Sequence, residues 1–203
     1  MANLTRNHLA GLCLFVAAVP CLPAQGPSAE LFGGYTYQKS NPAVGLPKQT
    51  MNGYVAGVAG YVNRWFGVGM EISTVTGSLP APAGITAPSL NLHERNFLAG
   101  PQLRVIKTDR IQVAGKLMLG GAFGQVKLDP ATPATSVLAL ATAGYSGLNQ
   151  TKFAMMAAAP VDISVTKLIA IRVEPGWYLT DYSKTKVSNF RFSIGPVFRF
   201  GGK

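Results

Sequence analysis

Acidic side chains are scarce in this sequence. Eight Asp and Glu stand against 18 Lys and Arg in 203 residues, and charged residues of both signs make up only 13%. Two cysteines, Cys13 and Cys21, are too few for a disulfide framework or a four-thiolate metal site. Histidine is almost missing, with His8 and His93 alone. No HExxH, CxxC, phosphate-binding loop or acidic calcium loop occurs. So little charge is unusual for a soluble domain, and 48% hydrophobic content excludes a disordered chain. Yet beyond Gln25 no apolar run of roughly 18 residues appears, so no transmembrane helix is expected. The formal charge of +10 invites a nucleic-acid reading.

The first residues are a leader rather than structure. Arg6 gives a short positive region, and Leu9 to Val19 is apolar but too short to span a bilayer. Pro20 and Pro23 break it, and Ala24 offers a small residue before a cut. The expectation is a signal peptide over 1–24 and one domain over 25–203. Cys13 follows Leu12 and Cys21 follows Pro20, so neither has the small neighbour that lipidation needs. Both cysteines leave with the leader. An exported apolar chain without a spanning helix is either a soluble β-protein or a barrel in the outer membrane.

The mature sequence alternates with period 2, as strands do. From Asn189 to Gly201, Phe190, Phe192, Ile194, Pro196, Phe198 and Phe200 share one face, against Arg191, Ser193, Gly195, Val197 and Arg199. Further strands are expected over 31–38, 51–62, 66–74, 94–105, 111–123, 153–164 and 169–180. Asn63-Arg64, Lys107-Thr108-Asp109 and Thr166-Lys167 read as tight turns. Longer Pro/Gly/Ser/Thr-rich loops, about 39–50, 77–93, 124–151 and 181–188, alternate with them. Short turns at one end and long loops at the other make the outer-membrane pattern. The fold class expected is all-β, an eight-stranded antiparallel up-and-down transmembrane barrel. Pro101, Pro160, Pro175 and Pro196 fall inside strands and remove ladder donors, so bulges or strand ends are expected at some of them.

Two observations put the apolar face toward lipid. Large aromatics bunch near strand ends, with Tyr35, Tyr37, Trp65 and Trp177 as the expected lipid-interface set. The opposite face is matched in charge. Strand parity gives it Glu30, Glu71, Glu94, Asp162 and Glu174 against Arg104, Lys116, Arg172, Arg191 and Arg199. A narrow lumen requires such pairing, because an unpaired buried charge costs several kcal/mol.

These residues resemble a family. Glu30 to Tyr37, Asn63 to Val68 and Asn189 to Gly201 look like the opening strand, first hairpin and last strand of small outer-membrane β-barrel domain proteins. The layout is similar to the transmembrane domain of outer membrane protein A. The resemblance implies that Phe190, Phe192, Phe198 and Phe200 form the signal read by the barrel-assembly machinery. Members usually end on an aromatic, whereas here Gly201-Gly202-Lys203 follow Phe200.

Chemistry is thin. Lipid-modifying barrels use His with Ser on the outer rim, and His93 has no Ser two residues on. Gly120 to Gly124 ends a strand rather than opening a helix, so close strand packing is expected there instead of a phosphate cradle. The apolar stretch Ala131 to Gly147 reads as an extended hairpin loop. The function expected is structural or surface-interacting, with no enzyme, cofactor or metal. A narrow pore is the alternative, and a lipid-modifying enzyme centred on His93 is a weaker one. Without Arg6 the formal charge of +10 becomes +9, and the lumen contributes none of it. The excess is split between two rims, unlike a nucleic-acid groove. Outer-membrane lipids, with their anionic phosphates near the outer set, are the expected partners.

Overall fold

The computed structural model describes residues 29–40, 49–79, 90–127, 149–182 and 185–201. Residues 1–28, which hold the expected signal peptide, the stretch Ala131 to Gly147 and most of the expected loop residues lie outside the described residues. The strands are β1 (Ala29–Ser40), β2 (Gln49–Tyr61), β3 (Phe66–Leu79), β4 (Leu90–Lys107), β5 (Ile111–Lys127), β6 (Asn149–Ala158), β7 (Val161–Ser164), β8 (Ile169–Tyr182) and β9 (Thr185–Phe200). β1 to β5 pair antiparallel in chain order, β8 pairs with β9, and β1 pairs with β9, which closes the ring. β6 and β7 both lie between β5 and β8, as two halves of one interrupted strand. The ring therefore has eight positions, and closure leaves no strand edge exposed.

Alternation decides which way each side chain points. Outward are Leu31, Val68, Ile72, Phe97, Leu117, Leu119, Ile171 and Phe198, all exposed. Inward are Glu30, Glu71, Arg104, Arg172 and Arg191, all buried. A soluble barrel would show the reverse.

All four in-strand prolines meet interruptions of the ladder. Pro160 falls in the gap between β6 and β7, where Ala114 N–H donates to its carbonyl at 3.0 Å. Pro175 lies across the same gap, and its carbonyl accepts from Ala159 N–H at 3.0 Å. The β4–β5 register skips Gly100 and Pro101, and the β1–β9 register skips Gly195 and Pro196. A missing N–H is tolerated where no ladder bond is required. The single continuous strand expected over 153–164 is thus broken. The one register shift of β4 falls between Arg104 and Ile106, so that Val105 and Ile106 both face out.

The strands also run further into the loop end than the alternation suggests. β4 begins at Leu90 rather than Glu94, and β5 continues to Lys127 rather than Phe123. Above Ile72 and Phe97 the outward residues become Thr74, Thr76, His93 and Arg95. The outward face is then polar and the period-2 contrast fades, although the hydrogen-bond ladder continues.

Short turns close the other end, here the lower one, and each is tied by a side-chain oxygen. Asn63 Oδ1 accepts from Trp65 N–H at 2.8 Å and Phe66 N–H at 2.7 Å. Thr108 Oγ1 accepts from Ile111 N–H at 3.0 Å, and Thr166 Oγ1 accepts from Ile169 N–H at 3.0 Å. These are Asx and ST turns, in which a side chain replaces a backbone acceptor. At the chain's end Gly201, with φ of 81°, turns the backbone away after Phe200.

Candidate functional site

Among the described residues, carboxylates and cations converge in the lumen. Its floor is organised by Glu30 near the start of β1. Glu30 Oε1 accepts from Arg104 Nη2 at 2.9 Å and Gln112 Nε2 at 3.2 Å. Glu30 Oε2 accepts from Arg172 Nη2 at 2.8 Å and Tyr61 O–H at 3.4 Å. Arg199 Nε lies 3.6 Å from Oε1. Asp162 on β7 binds Arg172 through two hydrogen bonds, 2.7 and 2.9 Å, and accepts from Arg199 Nη2 at 2.9 Å. The Arg104 guanidinium stacks on Tyr61, 3.3 Å from the ring centroid.

The next layer joins β3, β5, β8 and β9. Lys116 Nζ lies 2.5 Å from Glu71 Oε2 and 2.7 Å from Glu174 Oε1. Arg191 Nη2 approaches Glu71 Oε1 to 2.6 Å, at an angle off the hydrogen-bond direction. Its Nε–H donates to Thr36 Oγ1 at 3.0 Å, and Nη1 lies 3.5 Å from Met156 Sδ. Glu94 stands higher, where Gln38 Nε2 donates to it at 3.4 Å. Above the second layer an apolar cluster joins the polar side chains: Leu98, Met118, Met156 and Tyr178 pack with Ala122 and Ala154, beside buried Asn96 and Thr180.

Room for the long cations comes from the opposite wall. The inward residues of β2 and β3 include Gly53, Gly57, Ala59, Gly67 and Gly69. A Cβ at Gly69 would collide with the Gln102 amide, so the glycine is what lets that amide lie flat on the wall. The packing leaves a cavity of ≈ 10 Å³ among Glu30, Glu71, Gln102, Lys116 and Arg172, room for about one water.

Nine of the ten parity-assigned charges are buried, and Arg199 is half-buried at the lower mouth. Sequence reasoning missed Tyr61, Thr36 and Gln38. Gly and Ala fill so much of β2 that its parity carries little signal, and neutral side chains leave no charge to match. Lys152, which falls between the expected loop 124–151 and the expected strand 153–164, is in β6 opposite Ala122, half-buried.

The remaining expected residues lie on the outside. Tyr35, Trp65, Trp177, Phe190, Phe198 and Phe200 are exposed, while Tyr37 and Phe192 are half-buried. Tyr35 O–H donates to Asn52 Oδ1 at 2.7 Å and Trp177 Nε1–H to Ser188 Oγ at 2.5 Å. His93 is on the outward wall of β4, with Nδ1 3.1 Å from Thr76 Oγ1. Among the described residues no three His, Cys, Asp or Glu group as a metal ion would need.

No protein family profile matches the chain. No curated protein matches it either. Solved structures do. Neisserial surface protein A aligns with a TM-score of 0.61 at 11% identity, covering 87% of this chain and 100% of its own. Ail, the attachment invasion locus protein of Yersinia pestis, aligns at 0.53 and 12%, covering 84% and 97%. The outer membrane protein OprG from Pseudomonas aeruginosa aligns at 0.52 and 12%, covering 89% and 100%. At such identity the likeness speaks for the fold alone, and the fold is the eight-stranded antiparallel transmembrane β-barrel.

Proposed function

We propose that the chain is a non-catalytic barrel of a bacterial outer membrane, closed to ions, with a structural or surface-interaction role. The observation that carries this reading is the lumen. The charges of its two lower layers are paired across the tube at 2.5 to 2.9 Å, and the cavity between them holds about one water. An ion path needs charges that face water. Here each carboxylate of the two lower layers is held by cations from other strands, and an eight-stranded interior is just filled by side chains. The apolar exterior and aromatic ends fit a bilayer, and the exposed Lys39 and Arg95 of the loop end suit anionic lipid phosphates there.

Planar-bilayer recording of refolded protein tests the closed lumen. No unitary current is expected, and steady steps that change with Lys116→Ala or Arg172→Ala would make the chain a narrow pore instead. Mass spectra of lipid A from cells with and without the protein test the absence of catalysis. Identical spectra are expected, and a protein-dependent acyl change that is lost in His93→Ala would overturn it.

A further inference from the structure

Each described hairpin turn places a cation beside an outward apolar residue. Arg64 precedes Trp65, Arg110 precedes Ile111, and Lys167 precedes Leu168, all of them exposed. The Arg64 guanidinium lies 5.0 Å from the centroid of the Trp65 ring. Lys107, half-buried at the end of β4, adds a fourth cation within the field of Arg64, Arg104 and Arg199. Among the described turn residues only Asp109 opposes them. The lumen floor offers no relief, since Glu30 and Asp162 already face Arg104, Arg172 and Arg199.

We propose that this lower rim is a collar for anionic phospholipid headgroups of the leaflet around the turns. The apolar neighbour sets the depth. Trp65, Ile111 and Leu168 end the lipid-facing wall, so the adjoining cations stand at headgroup level with their stems along that wall. Arginine offers a planar fork to phosphate and lysine a mobile point charge. The cations are spread over three turns around the ring, so the collar takes several lipids, one or more per turn. A zwitterionic headgroup also has a phosphate, but its own ammonium is repelled. Net negative lipids of the phosphatidylglycerol class are therefore preferred.

The collar rests on the reading of the chain as a bilayer barrel. Heat-modifiable migration after folding into pure phosphatidylcholine nanodiscs tests that reading separately. The collar itself is tested in nanodiscs of equal phosphatidylcholine and phosphatidylglycerol, with native mass spectrometry counting the lipids that stay bound. Wild type is expected to retain phosphatidylglycerol preferentially, each cation contributing up to about fivefold at low salt. In Arg64→Gln/Lys107→Gln/Arg110→Gln/Lys167→Gln the ratio should fall most. Lys39→Gln/Arg95→Gln, at the opposite end, should lower it less, since it leaves the four cations of the collar in place. About half-molar salt should shrink the preference. A wild-type ratio near one overturns the proposal, as does a folded quadruple variant that keeps the preference. An equal fall in Lys39→Gln/Arg95→Gln overturns it too. If the quadruple variant does not fold, the four single variants are read in the same way: a partial fall in each supports the collar, and no fall overturns it.

Discussion

In the lower lumen Glu30 and Asp162 hold three guanidiniums that arrive from β4, β8 and β9. In the upper lumen Leu98, Met118, Met156 and Tyr178 pack against the small side chains of Ala122 and Ala154. Both fillings exclude water, but they constrain the strands differently. A carboxylate of β1 that binds β4 and β8 ties strands that are not neighbours in the ring. If β1 slipped by one residue, Glu30 would point to lipid and Arg104 would be buried without its carboxylate. The methionines of the upper lumen are flexible and tolerate small shifts. They fill the tube without specifying its register. Register therefore depends mainly on the lower half and on the Lys116 layer above it.

The largest expected effect breaks that comparison at its centre. Glu30→Gln keeps the shape of the side chain and removes its charge. It leaves the Arg104 guanidinium without the carboxylate it pairs with, and weakens the hold on Arg172 and Arg199. A loss of about 3–5 kcal/mol is expected from guanidinium unfolding in detergent, followed by gel migration. A loss under about 1 kcal/mol would mean that the lower network does not hold the barrel. Lys116→Met should cost about 3 kcal/mol, because Glu71 and Glu174 lose the ammonium between them. Adding Glu71→Gln should recover part of that loss. A double-mutant cycle with no coupling would show that the two do not act as a pair. In the upper lumen Met118→Ala removes a fully buried side chain and should cost about 2–4 kcal/mol through the cavity it leaves. Its folded band should stay sharp in unboiled gels, whereas Glu30→Gln should smear across registers. The same smear in both variants would erase the distinction between the two halves.

How far the sequence discloses this arrangement differs from element to element. In β9 and β8 the two faces differ so strongly, Phe190 and Phe198 against Arg191 and Arg199, that period 2 alone assigns them. In β2 Gly53, Ala56, Gly57 and Gly60 occupy both faces, and Tyr61 is not recognisable as an inward residue. The ten charges share a face by parity, but parity does not tell which acid meets which base. Glu30 and Arg172 are 142 positions apart, and their contact depends on the tilt and stagger of the closed ring. The break at Pro160 is visible as a missing donor. That Pro175 lies across the same gap emerges only from the pairing of β8 with both β6 and β7.

The smallest expected effect provides the reference for both halves. Asn63 makes two short hydrogen bonds, to Trp65 N–H and Phe66 N–H, as short as many in the lumen. It is exposed, so water can take over both donors when it is removed. Asn63→Ala should therefore cost only about 0.5–1.5 kcal/mol in the same unfolding assay. Asn96 in the upper lumen has at least as many partners, accepting from Tyr178 O–H at 2.6 Å and donating to Ser73 Oγ at 3.3 Å. It is buried, and no bulk water replaces it. Asn96→Ala should cost more than Asn63→Ala, toward about 3 kcal/mol, because a buried partner left unsatisfied carries the full desolvation penalty. Equal losses at the two positions would mean that water enters the upper lumen freely, and the closed tube would then have to be abandoned from above rather than from below.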